Sequence, residues 1–403
     1  MTARIFAIGP VVSRQLGKVA GAAVAVLLSA ACAAPATSPA SPASASGNSK
    51  TPAPSNSHTT MPSTSPAPAL TPRQLAGERV VYSYSGLTPP QSLLDRISAG
   101  EAAGVIFFKD NISSPAQITS VIQRLENANA ASPVRMPLLL MTDQEGGQVR
   151  RMPGEPTLSA KQIGQSADPK AAAAAAGTGA GQNLAGVGMN VNLGPVLDVY
   201  RSKGDFADQY GRSYSADPAV VSSLSSEFIT AQQAAGVAAA AKHFPGLGPA
   251  SAGHNTDYEP VTLDVPLSTL RSVDETPYPA AIRAGVKLIM VSWATYPALD
   301  PGRPAGLSPA VVRQELRQHL GFTGVTVTDA LEARALDQFG GTGQRAVSAA
   351  VAGMDLILCS GHEVSQGDDA VDALAKAYES GQLDRADFTA AADRVAALRG
   401  SRS

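Results

Sequence analysis

Apolar and polar positions alternate in blocks from Thr71 to the end of the chain. Eight short apolar runs, rich in branched or small side chains, predict buried strands. They are Arg79–Tyr84, Gly104–Phe108, Pro137–Met141, Gly188–Asn192, Val237–Lys242, Lys287–Ser292, Gly324–Thr328 and Met354–Cys359. Longer helical stretches separate or follow them: Pro115–Ala131, Ala171–Ala185, Pro218–Gly236, Ser308–Leu320 and Leu383–Gly400. Eight alternating βα units predict an α/β fold, a single (β/α)8 TIM-type barrel, rather than an open sheet.

Three of these apolar runs lead directly into charged side chains. The third run is followed by Asp143 and Glu145, the fifth ends at Lys242 and His243, and the seventh is followed by Asp329. In a parallel barrel the catalytic groups lie where the strands end. The sequence therefore predicts one active site built from the ends of several strands.

Four motifs, in this order, carry a family resemblance: Asp143-x-Glu145-Gly146-Gly147-x-Val149-x-Arg151, Gly211–Tyr214, Lys242–Gly248 and Val327–Asp329. Together they resemble the glycoside hydrolase family 3 β-N-acetylhexosaminidases of the NagZ type, over roughly residues 75–398. The resemblance implies a retaining glycosidase with Asp329 as the nucleophile. It also implies that the following residues bind the sugar: Asp143, Arg151, Arg212, Lys242 and His243.

The resemblance further implies a histidine acid/base, for which His254 is the candidate. An unperturbed imidazole pKa near 6.5 suits a group that both gives and accepts a proton. The family places an aspartate two residues before this histidine, whereas this chain has Ala252. Asp257 could orient the ring instead. The alternative is that His254 belongs to a surface loop and another group assists catalysis.

Other polar residues near these motifs have structural interpretations. Glu145 is expected to pair with an arginine, and Asp198 is expected to be structural. Lys242 and His243 could alternatively form an ion pair in the core. Cys359, in an apolar run, is expected to be a core residue.

Neither a metal nor a cofactor is expected. His243, His254, Asp257 and Glu259 are spaced unlike any standard zinc site. The chain also has no phosphate-binding glycine loop. Its formal net charge of −2 and its lack of a basic stripe argue against a nucleic-acid partner.

The N-terminal 70 residues differ in composition from the rest. Basic residues precede the apolar run Val19–Ala31, which is too short to span a bilayer but suits a signal peptide. The run ends at Cys32 and resembles a bacterial lipobox, apart from Ser29 where leucine is usual. Between Ala33 and Leu70, 31 of 38 residues are Ala, Pro, Ser or Thr, which predicts a disordered tether.

These features predict a signal peptide (1–31), a linker (32–70) and a barrel domain (71–403). Lipid on Cys32 would hold the protein at the outer face of the cytoplasmic membrane; the alternative is a secreted protein with unmodified Cys32. We expect a monomeric exo-β-N-acetylglucosaminidase that acts on peptidoglycan-derived amino sugars. The alternatives are a β-glucosidase, a glycan phosphorylase, or a catalytically silent glycan-binding lipoprotein.

Overall fold

The computed structural model describes residues 69–401. The predicted signal peptide, Cys32 and residues 32–68 of the predicted linker lie outside the described residues. The strands are β1 (Val80–Tyr82), β2 (Gly104–Ile106), β3 (Leu139–Thr142), β4 (Gln144–Gly146), β5 (Val149–Arg150), β6 (Val191–Asn192), β7 (Ala238–Phe244), β8 (Leu288–Val291), β9 (Val325–Thr328) and β10 (Ile357–Leu358).

Helices follow or separate these strands. The α-helices are α1 (Pro72–Gly77), α2 (Gln91–Ser98), α3 (Pro115–Ala130), α4 (Ala160–Gly164), α5 (Pro169–Ala185), α6 (Phe206–Gln209), α7 (Pro218–Ala234), α8 (Leu267–Thr269), α9 (Pro277–Arg283), α10 (Thr342–Ala352), α11 (Val364–Glu379) and α12 (Arg385–Gly400). Short 3₁₀ segments are Lys109–Asn111, Ala305–Leu307 and Arg334–Phe339, and π-helical segments are Leu270–Asp274 and Ala310–His319.

Eight parallel strands form the barrel, in the order β10-β1-β2-β3-β6-β7-β8-β9. The two ends of this order meet beside β10, where the amide of Thr328 donates to the carbonyl of Leu356 (3.0 Å) and the amide of Leu356 donates to that of Thr326 (2.9 Å). The predicted (β/α)8 barrel is thus confirmed, with its helices on the outside.

Side chains alternate between the barrel interior and the layer beneath the helices, as the period of two requires. In β8, Leu288 and Met290 belong to the interior cluster, whereas Ile289 and Val291 pack in the outer one. Every residue of β8 is buried. Burial on both faces explains why these strands are nearly continuous apolar runs in the sequence.

Strand β7 continues two residues beyond the predicted end at Lys242, so His243 and Phe244 belong to the strand. Its register with β8 shifts between Ala241 and Phe244. This irregularity interrupts the alternation of side chains. It lets two consecutive residues, Lys242 and His243, line one pocket while Phe244 packs in the outer core.

Most of the other strands are shorter than predicted by one or more residues. Strand β6 ends at Asn192 as predicted but begins only at Val191, because Gly188, with a φ of 91°, is not extended. Beyond Pro195, Val196 forms a further bridge to Lys242. The predicted helix at Ser308–Leu320 is the π-helical segment Ala310–His319, and it does stop before Gly321, whose φ of 71° suits a glycine.

The amino-terminal end of the barrel is closed by charged side chains. Asp355, which is fully buried, accepts from Arg394 (2.8 and 3.0 Å), from Arg317 and from both the amide and the hydroxyl of Thr326. The hydrogen-bonding capacity of its carboxylate is thus satisfied by the protein itself. This cluster fastens α12 and the π-helical segment to the strands.

Candidate active site

A pocket of about 210 Å³ opens at the carboxyl ends of the strands. Its floor consists of apolar side chains of the barrel interior, and its walls carry the charged residues that end the strands. The floor residues are Ile106, Leu193, Met290 and Leu358. The pocket walls include seven of the eight predicted catalytic and sugar-binding residues: Asp143, Arg151, Arg212, Lys242, His243, Asp257 and Asp329.

Asp329 directly follows β9 and is half-buried at the pocket. Its Oδ1 accepts one hydrogen bond, from the amide of Ala330 (2.8 Å). The turn is held from below by Trp293, whose buried indole Nε1 donates to the carbonyl of Ala330 (2.8 Å). No α-helix begins at Ala330 within the described chain; the next helical turn is the 3₁₀ segment from Arg334. Asp329 is therefore not a helix cap, and its carboxylate oxygens keep most of their hydrogen-bonding capacity for a ligand.

Opposite Asp329, a buried ion-pair network ends strands β3 and β7. Lys242 Nζ lies 2.6 Å from Asp143 Oδ1 and 2.7 Å from Glu145 Oε1. Arg212 donates two hydrogen bonds, of 2.7 and 2.9 Å, to the two carboxylate oxygens of Glu145. The prediction that Glu145 pairs with an arginine is consistent with this geometry. Lys242 bridges two carboxylates, because its ammonium contacts both Glu145 and Asp143 of the pocket wall.

The network keeps its members charged. Burial opposes the charge on Glu145, but Arg212 and Lys242 outweigh it and hold the pKa of Glu145 well below its usual range. Burial likewise opposes the charge on Lys242, and the carboxylates of Asp143 and Glu145 raise its pKa above the ordinary value. The pocket therefore presents a fixed array of charges at neutral pH.

Arg151 stands beside this network. Its guanidinium NH2 is 3.8 Å from Asp143 Oδ2, and its buried Nε has no hydrogen-bond partner among residues 69–401. A planar guanidinium with donors to spare suits an oxygen-rich ligand such as a sugar.

His243 is held by Asp198. The Asp198 carboxylate accepts from His243 Nδ1 (2.8 Å), from the His243 amide (3.2 Å) and from the amide of Leu247 (2.8 Å). Since a carboxylate only accepts, Nδ1 carries the ring proton and Nε2 is left for the pocket. Asp198 thus has the structural role expected of it: it fixes the ring and the loop that follows.

His254 and Asp257 lie in different environments. His254 is exposed, does not line the pocket, and its Nδ1 lies 3.2 Å from the hydroxyl of Ser251, so the ring is not partnered by Asp257. Asp257 lines the pocket with Asp329. Burial of its carboxyl and the charge of Asp329 raise the pKa of Asp257.

Two aromatic residues of the wall were not singled out from the sequence. Phe108 follows β2 and stacks on His362 with ring centroids 4.4 Å apart, and Phe206 belongs to α6. Their signal was weak because single aromatic residues are common in cores. The position of Phe108 at a strand end was the available clue.

Cys359 is buried and unpaired, in keeping with a core role.

Within residues 69–401, no group of three or more His, Cys, Asp or Glu side chains is arranged to hold a metal ion. No helix in that range is long and apolar enough to cross a bilayer.

Known proteins are similar to this chain in sequence, and solved structures are similar to it in fold. A secreted glycosyl hydrolase of uncharacterized activity from Arthroderma benhamiae is 45% identical over 337 residues, which are 83% of this chain and 95% of the relative. A β-N-acetylhexosaminidase structure from Beutenbergia cavernae matches with a TM-score of 0.76 at 32% identity, covering 82% of this chain and 99% of the other. A family 3 β-N-acetylglucosaminidase from a Paenibacillus species matches with a TM-score of 0.78 at 34% identity, over 83% of this chain and 63% of the larger one.

The family model described as the glycosyl hydrolase family 3 N terminal domain matches residues 79–398. That span contains the barrel strands and every charged residue of the pocket. The chain therefore belongs to glycoside hydrolase family 3, and its barrel is the N-terminal domain of that family.

Proposed function

We propose that this protein is a retaining exo-β-N-acetylglucosaminidase that acts on peptidoglycan fragments. The observation that carries the proposal is the isolated carboxylate of Asp329, which faces a small pocket whose opposite wall is lined with ion-paired cations and Asp143. The names of the similar structures, a β-N-acetylhexosaminidase from Beutenbergia cavernae and a β-N-acetylglucosaminidase from a Paenibacillus species, support the choice of sugar. The pocket volume of about 210 Å³ suits a single terminal sugar.

The reaction is a double displacement. An Asp329 oxygen attacks the anomeric carbon, the bond to the leaving oxygen breaks, and an acid supplies that oxygen with a proton. Water then attacks the same carbon, gives a proton to the conjugate base, and releases Asp329 as a carboxylate. The configuration at the anomeric carbon is retained because it is inverted twice.

The remaining pocket residues position the sugar. Asp143 and the unprotonated Nε2 of His243 accept hydrogen bonds from the sugar hydroxyl groups, while Arg151, Arg212 and Lys242 donate to the sugar oxygens. Since the network keeps Lys242 and Arg212 charged, these donors are in place before the sugar arrives and need no reorganisation.

A substrate panel tests this activity. We expect the purified barrel to hydrolyse aryl N-acetyl-β-glucosaminides at least about tenfold faster than aryl β-glucosides, and to release N-acetylglucosamine from disaccharide fragments of peptidoglycan. Preference for the glucoside would indicate a β-glucosidase. Dependence on added phosphate, with a sugar phosphate as product, would indicate a phosphorylase, and sugar binding without turnover a silent binding module.

Attachment to the envelope is a separate part of the proposal. Residues 1–31 would be removed as a signal peptide, lipid on Cys32 would anchor the chain, and residues 32–70 would tether the barrel domain. The Cys32→Ala variant should move to the soluble fraction with unchanged kinetics. A variant that still sediments with membranes in high salt would contradict the lipid anchor.

A further inference from the structure

A retaining glycosidase needs a proton-transfer group that serves both half-reactions. It must reach the leaving oxygen in the pocket and, in the second step, the incoming water. The family resemblance points to His254 for this role. In the structure the imidazole of His254 is exposed, contacts Ser251 through Nδ1, and contributes nothing to the pocket wall.

Few other groups of the pocket can transfer a proton. Asp143 is ion-paired with Lys242, whose Nζ lies 2.6 Å from its Oδ1, and its other oxygen lies 3.8 Å from Arg151. His243 is buried at the end of β7, next to the ion-paired Lys242, and its Nδ1 is committed to Asp198. Among the described carboxylates of the wall, Asp257 alone is neither ion-paired nor used as the nucleophile, and it is open to solvent.

We propose that Asp257, and not His254, is the general acid and general base of this enzyme. The proposal rests on the proposed glycosidase function and assigns its second catalytic residue. Asp257 would touch the leaving oxygen from the solvent side of the pocket, facing Asp329. The loss of the family's aspartate before His254 then has a physical meaning, because a solvent-exposed histidine needs no orienting carboxylate.

Backbone hydrogen bonds hold Asp257 beside the nucleophile. Its carbonyl accepts from the amide of Arg334 (3.2 Å), and the carbonyl of the buried Thr256 accepts from the amide of Ala335 (3.1 Å). Both donors belong to the segment that follows Asp329. The loop after β7 is therefore fastened to the loop after β9 at the residue that would transfer the proton.

The electrostatics of the pair suit both half-reactions. Burial and the negative charge of Asp329 raise the pKa of Asp257, which favours the protonated form that donates in the first step. Once Asp329 has formed its ester with the sugar, that charge is gone and the pKa of Asp257 falls. Asp257 is then a carboxylate, which takes the proton from the water that attacks the anomeric carbon.

This assignment also bears on the acceptor. In the second step the pocket mouth would carry a negative charge on Asp257, which repels phosphate but not water. We therefore expect hydrolysis rather than phosphorolysis, unlike the outcome that a neutral histidine would permit.

The test compares Asp257→Ala and Asp257→Asn with His254→Ala, and uses Glu259→Gln as a matched control. Glu259 is an exposed carboxylate two residues away that does not line the pocket. Each variant is assayed with a disaccharide and with a dinitrophenyl N-acetylglucosaminide, whose leaving group needs no proton. Thermal unfolding checks that each variant is folded.

We expect both Asp257 variants to lose about 10²–10⁴-fold in kcat/KM on the disaccharide and far less on the dinitrophenyl substrate. Azide should restore turnover of Asp257→Ala by attacking the glycosyl-enzyme, with β-glycosyl azide as the product. The fall of kcat/KM at high pH should disappear in both. His254→Ala and Glu259→Gln should stay within about threefold of the wild type on both substrates.

The opposite pattern would overturn the assignment: His254→Ala showing the leaving-group dependence and azide rescue, with Asp257→Asn milder or silent. Equal losses on both substrates in Asp257→Ala and Asp257→Asn, without azide rescue, would also overturn it, since Asp257 would then only shape the pocket. Failure of the proposed function is distinguishable, because the wild type would not turn over the dinitrophenyl N-acetylglucosaminide at all.

Discussion

The two ends of the barrel carry similar charged residues but treat them differently. At the amino-terminal end, Asp355 is fully buried and its oxygens accept from Arg317, Arg394 and Thr326. At the carboxyl-terminal end, Asp329 accepts one backbone hydrogen bond and faces the pocket. A charge whose partners are all supplied by the protein stabilises the fold, whereas a charge with hydrogen-bonding capacity to spare beside a cavity is available to a ligand.

The largest expected effect is at the open end. Asp329→Asn should lower turnover by at least about 10³-fold, because an amide keeps the shape of the carboxylate but cannot act as the nucleophile. Binding of N-acetylglucosamine, measured by calorimetry, should remain within about tenfold of the wild type, and the unfolding temperature should not fall. Turnover close to that of the wild type would remove Asp329 from the mechanism.

At the closed end, Asp355→Asn should destabilise the fold and spare the chemistry. The substitution leaves the guanidinium groups of Arg317 and Arg394 without their carboxylate, at a cost of about 3 kcal/mol. Chemical denaturation should show this loss, while kcat per folded molecule should match the wild type. A protein of unchanged stability but altered kcat would contradict the division between the two ends.

Glu145 lies between these extremes, since it is paired like Asp355 but sits behind the pocket wall. Glu145→Gln weakens charged hydrogen bonds to Arg212 and Lys242, each worth about 1.5–3 kcal/mol. We expect kcat/KM to fall about tenfold to hundredfold, mainly through KM, because the sugar-binding cations lose their positions. Steady-state kinetics check this, and a change in kcat alone would speak against a positioning role.

The smallest effect concerns an incompletely partnered carboxylate away from the pocket. Glu275 is buried, neither of its oxygens has a donor among the described residues, and Glu315 lies beside it, itself held by Arg271. Burial and the charge of Glu315 raise the pKa of Glu275 to about 8. It therefore keeps a proton in the folded state that the unfolded chain, with a pKa near 4.5, releases.

Because the unfolded state binds fewer protons across this interval, stability should fall as pH rises from about 4.5 to about 8. We expect the unfolding temperature to drop by on the order of 5 °C over that range. Glu275→Gln, which keeps a donor for Glu315, should flatten the profile and leave activity unchanged. Identical profiles for the two proteins would show that Glu275 is ionised in the folded state. A change in the activity of Glu275→Gln would contradict the conclusion that an incompletely partnered carboxylate serves function only beside a cavity.

Much of this account was predictable from the sequence. The ends of three strands could be predicted from apolar runs that stop at Asp143, Lys242 and Asp329. The barrel interior requires apolar side chains and the active site requires charged ones, so the change between them is visible in the sequence. The pairing of Glu145 with an arginine was also expected, since a buried carboxylate so close to the pocket needs a cation.

The loop after β7 could not be predicted in the same way. Its Gly, Ala and Ser residues carry no periodic pattern, and its course depends on hydrogen bonds to Arg334 and Ala335, about eighty residues further along the chain. The family resemblance placed His254 in the site and gave Asp257 a supporting part. The register shift in β7, which turns His243 into the pocket, likewise left no signal in the sequence.

Trapping the covalent intermediate tests the central claim most directly. A 5-fluoro N-acetylglucosaminyl fluoride slows the second half-reaction, so the glycosyl-enzyme should accumulate and be seen as one added sugar per protein by mass spectrometry. Peptide mapping should place that sugar on Asp329, and Asp329→Asn should stay unlabelled. Labelling of another carboxylate, or turnover of the reagent without any adduct even after rapid quenching, would contradict a retaining mechanism at the open end of the barrel.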